Sequence, residues 1–156
     1  MLLAGCATLV IDSSDIEVEA VEYGLFEPAE EAFRHVETRI DIACEPGTIF
    51  GVGYRLIFRH GAHGRLPLEF SVHQPTPTSG LTAPADGPSV LHVEPTVPRG
   101  ARFGDVQVLE IIDGQNALHS GRYEFVVRVP EKDVVLDKRS FVLSGCENPA
   151  DAGPGR

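Results

Sequence analysis

The chain has 156 residues, 42% hydrophobic and 23% charged, the ordinary make-up of one globular domain that hides roughly two-thirds of its unfolded surface. Thirteen Lys and Arg stand against 23 Asp and Glu, a formal net charge of −10, with no basic run long enough to track a phosphate backbone. This argues against nucleic-acid binding and against electrostatic docking on an anionic lipid surface. No window approaches the roughly 20 apolar residues of a membrane-spanning helix.

In chain order, Ile16–Tyr23 alternates apolar and acidic residues and then slips by one at Ala20-Val21, as a β-bulge would make it. Pro28–Phe33 is a weak helical candidate. From Val36 to Cys44 the even positions (Val36, Thr38, Ile40, Ile42, Cys44) form one face, which predicts a strand. Glu45-Pro46-Gly47-Thr48 is turn chemistry. Phe50, Val52, Tyr54, Leu56 and Phe58 then alternate with Gly51, Gly53, Arg55 and Ile57, so the two runs read as a hairpin. After a turn over His60–Gly64, Leu68, Phe70 and Val72 repeat the pattern.

Gln74–Pro88 is rich in Pro, Thr, Ser, Gly and Ala and reads as an irregular excursion. Strands resume near Val90–Glu94, Val106–Ile112, Arg122–Val129 and Val134–Ser144. About seven or eight strands, with turn signals every 8–12 residues, predict an all-β chain folded as an antiparallel β-sandwich. Leu118-His119-Ser120-Gly121-Arg122-Tyr123-Glu124-Phe125 has the form Leu-x-x-Gly-x-Tyr-x-Phe. That form resembles the tyrosine corner of immunoglobulin-like domains, with Tyr123 bonding back to the preceding corner. The expected organisation is a signal remnant and tether over 1–15, the sandwich over 16–146 and a disordered tail over 147–156.

From about Val18 to Leu143 the chain resembles the bacterial domain-of-unknown-function 3859 family. The resemblance rests on Tyr23-Gly24-Leu25-Phe26, on Gly47-Thr48-Ile49-Phe50-Gly51-Val52-Gly53-Tyr54-Arg55-Leu56, on the Leu-x-x-Gly-x-Tyr-x-Phe stretch and on Arg139-Ser140-Phe141-Val142-Leu143. It implies a compact all-β domain with no assigned reaction and no catalytic residues to carry over.

Chemistry-bearing constellations are few. His60 and His63 in a Gly-rich turn could share a metal if a third ligand joined them, with His73 conceivable, against the plainer reading of two solvated imidazoles. Glu27, Glu30 and Glu31 read as a solvated acidic turn rather than an acid/base pair. No Gly-x-Ser-x-Gly elbow occurs. A non-catalytic protein without a cofactor is the expectation.

Three cysteines are an odd number. Leu3-Ala4-Gly5-Cys6 resembles the lipobox of bacterial lipoproteins, in which the signal is cut before Cys and that Cys receives lipid. The pattern also needs a basic region and an apolar stretch upstream, and Met1 lies only five residues before Cys6. The reading therefore requires a start upstream of Met1; the alternative is a chance match. With Cys6 lipidated, Cys44 and Cys146 remain. They would bridge if the Val36–Cys44 strand switched sheets and ran parallel beside the last strand, which must end or bulge near Gly145. Two reduced thiols are the alternative. The leading expectation is an envelope lipoprotein, periplasmic and held to a membrane only through lipid on Cys6, that binds or scaffolds an unidentified protein or envelope ligand. A soluble cytoplasmic β-domain of unknown role is the rival.

Overall fold

The computed structural model describes residues 9–75, 88–113 and 119–146. Eleven strands are present among them: β1 (Ile16–Pro28), β2 (Phe33–Glu37), β3 (Asp41–Ala43), β4 (Ile49–Phe58), β5 (Gly64–Arg65), β6 (Leu68–His73), β7 (Ser89–Val93), β8 (Thr96–Val97), β9 (Phe103–Ile111), β10 (Gly121–Val129) and β11 (Val134–Ser144). One sheet has the order β2-β1-β4-β9, the other β3-β11-β10-β6-β7, and β5 pairs with β8 as a short ribbon. The chain is all-β; the surplus over seven or eight strands comes from pieces too short for an alternation to register.

The period-two pattern decides what lies between the sheets. Phe50, Val52, Tyr54 and Leu56 of β4 are buried, as are Leu68, Phe70 and Val72 of β6, Tyr123, Phe125 and Val127 of β10, and Phe141 and Leu143 of β11. At the centre, the Phe50 ring meets Tyr123, Phe125 and Phe141 edge-on, with centroids 5.6–6.1 Å apart. Such contacts add to the burial of four large rings. The slip at Ala20-Val21 is a register shift between Ala20 and Glu22 against β4. Past it, Tyr23 and Leu25 still pack on the core.

Three local expectations are corrected. Pro28–Phe33 forms the bend of the β1–β2 hairpin, with Ala29 N–H bonded to Ala32 O, and Phe33 already belongs to a strand. Six residues opening on Pro hold too few turns to offset helix nucleation, whereas pairing with β1 satisfies the backbone at once. Val36–Cys44 is not one strand: β2 lies in the first sheet and β3 in the second. The even face accordingly divides, with Val36 and Ile40 exposed and Ile42 buried. Nor do β3 and β4 form a hairpin, because the Glu45–Thr48 turn carries the chain between sheets; Gly47 there takes φ +88°.

Residues 9–15, expected to be a tether, belong to the fold. Leu9 O accepts the Arg65 N–H and Ile11 N–H donates to Arg65 O, so residues 9–11 lie parallel to β5. Ile11 is buried in the core, 6% exposed. Asp12 caps the 3-10 turn Ser13–Asp15 and pairs with Lys132. Gly64 permits this approach, since a Cβ there would stand 2.1 Å from Leu9 O, and its φ is +116°.

Candidate functional site

The strand register sorts the described residues into two ends. Residues 9–15, the β4–β5 and β8–β9 connections and the β10–β11 turn lie at one, the N-terminal end. The opposite end, called here the bridge end, gathers the starts of β4 and β10 and the finishes of β3, β6, β9 and β11.

At the bridge end, β3 runs parallel to β11, pairing Ile42 with Leu143 and Ala43 with Ser144. Cys44 N–H donates to Ser144 O, extending that ladder by one residue. β11 stops at Ser144, and Gly145 takes φ +75°, which turns Cys146 out of the strand's alternation and toward Cys44. The structure joins the two cysteines in a disulfide with Cα atoms 4.9 Å apart, closing a separation of 102 residues. Cys146 N–H also donates to the Ser120 hydroxyl, which ties the bridge to the entrance of β10.

Beside it, Tyr123 is fully buried, and its hydroxyl donates to His119 O at 3.0 Å while accepting the His119 N–H at 3.1 Å. Both backbone groups of the corner are satisfied by one side chain, and burial pushes the phenol upward from its ordinary value. Glu110 pairs with Phe50 and so points inward from β9. Burial raises its carboxyl above the ordinary range. An inward charge on an edge strand also opposes pairing with another chain.

The Gln74–Pro88 excursion leaves and returns at this same end. His73 pairs with Glu124, Ser89 pairs with Val72, and Pro75 packs against Gly121. Residues 76–87 of that stretch lie outside the described residues, as do Cys6 and the tail 147–156.

The remaining sequence candidates do not converge. His60 Nδ1 lies 3.0 Å from Asp15 Oδ1, His63 Nδ1 lies 3.0 Å from Gly61 O, and His73 Nε2 lies 3.0 Å from the Ser71 hydroxyl. His73 sits at the bridge end, a sandwich length from the other two. Among the described residues, no three His, Cys, Asp or Glu side chains gather as a metal would require. Glu27 is paired with Arg34.

One network was invisible in the sequence. Glu69 lies on the outer face of β6 yet is almost wholly buried, and it binds Arg128 on the neighbouring strand; Arg128 in turn reaches Asp133. Arg128 holds the Glu69 carboxyl below its ordinary range. Only the β6–β10 register places Glu69 opposite Arg128, 59 positions away, and no local motif encodes that pairing. Inside the core the Tyr54 hydroxyl is buried without a hydrogen-bond partner, and Asp137 Oδ2 lies 3.4 Å from Arg139 Nε as an ion pair on β11. Burial, then the Asp137 charge, raises the Tyr54 phenol far above its ordinary value. No helix among the described residues is long and apolar enough to cross a membrane.

Neither protein families nor curated proteins yield a match to the sequence. Solved structures do. An immunoglobulin-like protein of Pseudomonas aeruginosa superposes with a TM-score of 0.55 at 19% identity, over 82% of this chain and 95% of that one. An alkylpurine DNA glycosylase of Pseudomonas fluorescens, bound to DNA containing an abasic-site analogue, gives 0.55 at 14% identity over 84% of this chain. A β-glucosidase of Listeria innocua in complex with glucose gives 0.54 at 10% identity over 83%. This chain spans only 31% and 16% of those two enzymes. At such identities the likeness is one of fold: the domain is an immunoglobulin-like β-sandwich.

Proposed function

We propose that this domain is the exported part of a bacterial cell-envelope lipoprotein, anchored through lipid on Cys6 and acting without catalysis as a binding or scaffolding module. The observation that carries the reading is the cysteine pairing. With Cys44 and Cys146 in a disulfide, Cys6 is the one unpaired cysteine of three, and it is the one set in Leu-Ala-Gly-Cys. A stable disulfide belongs to an oxidising compartment such as the periplasm. The resemblance to the domain-of-unknown-function 3859 family belongs to the same reading and brings no reaction with it.

A binding role without catalysis agrees with how the titratable groups are used. Several are held in cross-strand pairs on sheet faces, such as Arg55 with Asp105, Lys138 with Glu124 and Arg128 with Glu69. Sandwich domains bind through end loops and exposed edges, so the Gln74–Pro88 excursion at the bridge end is the surface assigned to the partner.

Intact mass of the natively expressed protein tests the address. The expected species carries lipid on Cys6 and lacks two hydrogens for the bridge. An unlipidated, fully reduced chain sinks the proposal in favour of a cytoplasmic β-domain. In-frame codons upstream of Met1 give an independent check: a Lys/Arg-led apolar stretch supports export, and an immediate stop codon defeats it.

A further inference from the structure

We propose that the N-terminal end of the sandwich lies directly against an anionic lipid surface, so that the domain stands end-on with its bridge end pointing away. The inference rests on the reading of Cys6 as a lipid site and adds an orientation to it.

Chain length makes the first argument. Leu9 is held to Arg65 by its backbone, and the three residues from Cys6 to Leu9 span at most about 11 Å. Lipid on Cys6 therefore keeps Leu9, and the ribbon it pairs with, within about that distance of the headgroups. A docked segment this short cannot let the domain roll freely.

The surface presented there makes the second. β5 pairs with β8, which leads through the Pro98–Arg102 turn into Phe103. Leu9 is 57% exposed, Val10 40% and Phe103 59%. The Arg55 guanidinium lies 5.0 Å from the Phe103 ring centroid. Arg99 and Arg102 are exposed, and among the described residues neither forms an ion pair. Asp12, Glu17, Glu94 and Asp133 are held in ion pairs and Asp15 lies against His60, while Glu131 and, opposite Arg55, Glu19 are exposed and form none among the described residues. At the bridge end, Asp41 and Glu45 are exposed and unpaired against Arg122.

Apolar side chains flanked by unpaired arginines are what a lipid interface with anionic headgroups accepts. The net charge of −10 opposes binding of the whole chain, but it is unevenly spread. The ten-residue strand β4 sets the ends about 30 Å apart, several Debye lengths at physiological salt. An anionic surface touching one end is therefore screened from the other.

The chain holds no Trp, so F103W and I40W each install a single reporter, one per end. With Cys44 and Cys146 bridged, Cys6 alone couples to a maleimide headgroup lipid in vesicles of brominated phosphatidylcholine, with or without phosphatidylglycerol. The F103W signal is expected to be quenched at least ~3-fold more than the I40W signal on phosphatidylglycerol vesicles. Adding R99E/R102E should erase most of that difference there and change little on neutral vesicles. Equal or inverted quenching of the two reporters overturns the proposal, as does an F103W signal indifferent to R99E/R102E. V10W and V142W replace a reporter that unfolds the domain. Because the lipid is attached chemically, loss of orientation is separable from an absence of lipid on the native protein, which would defeat the envelope reading instead.

Discussion

At the bridge end of the sandwich, a covalent link, a buried tyrosine and a parallel strand pair fasten the chain; at the N-terminal end, three backbone hydrogen bonds, the contacts of Asp12 with Lys132 and of Asp15 with His60, and a buried Ile11 do so. The disulfide constrains the unfolded chain too, whereas every other contact at the two ends exists only in the folded state. One end is therefore closed tightly enough to carry a variable loop, and the other is held by contacts that local opening can undo.

The comparison breaks first at the bridge. C44S/C146S should lower unfolding stability by about 3–4 kcal/mol, near but below the ~4–5 kcal/mol that chain entropy allows for a loop of this size. A shift of the urea midpoint at constant slope is the readout. Ile11→Ala should cost about 2–3 kcal/mol by emptying a core position. Because the residue sits beside β5, proteolysis should then cut first within residues 9–15 while the bridge end stays intact. If that cleavage falls instead near β10 and β11, the two ends are not independent units. Tyr123→Phe should cost about 1–2 kcal/mol, since both backbone groups of His119 lose their partner.

The smallest effects sharpen the contrast through pH. Burial raises the folded Glu110 carboxyl above its ordinary value, so the folded state prefers the protonated form. Stability from this group is complete below the ordinary carboxylate range and falls as pH rises through the folded value. Glu110→Gln should therefore stabilise the domain at neutral pH and do nothing in acid. Asp12 has the opposite sign, because Lys132, the Ser14 N–H and the Ser14 hydroxyl hold its carboxyl well below the usual range. Its contribution is present above the ordinary value and disappears as acid protonates it. Acid should loosen residues 9–15 in hydrogen exchange, and Asp12→Asn should abolish that pH dependence.

What the sequence disclosed was set by how far each feature reaches along the chain. Alternation over ten residues placed β4, and β11 fell on the expected Val134–Ser144. Gly145 flagged the parity problem that its positive φ resolves. The two-residue strands β5 and β8 carry no period to detect, and the docking of residues 9–11 depends on Gly64 leaving room for a carbonyl 55 positions earlier. The Glu69–Arg128 pair exists only once β6 lies beside β10. The Val36–Cys44 run kept its alternation across Thr38–Ile40 while the chain changed sheets, because periodicity records which way side chains point and not which partner a strand takes.

The parallel pairing of β3 with β11 also imposes an order in time. Cys6 and Cys44 leave a ribosome or a translocon long before Cys146, so the first oxidation open to a growing chain is between Cys6 and Cys44, which is not the pair that the folded domain bridges. A lipid placed early on Cys6 would remove that wrong partner. The modification proposed as an anchor would thus also protect the correct bridge, acting before the domain has anything to anchor.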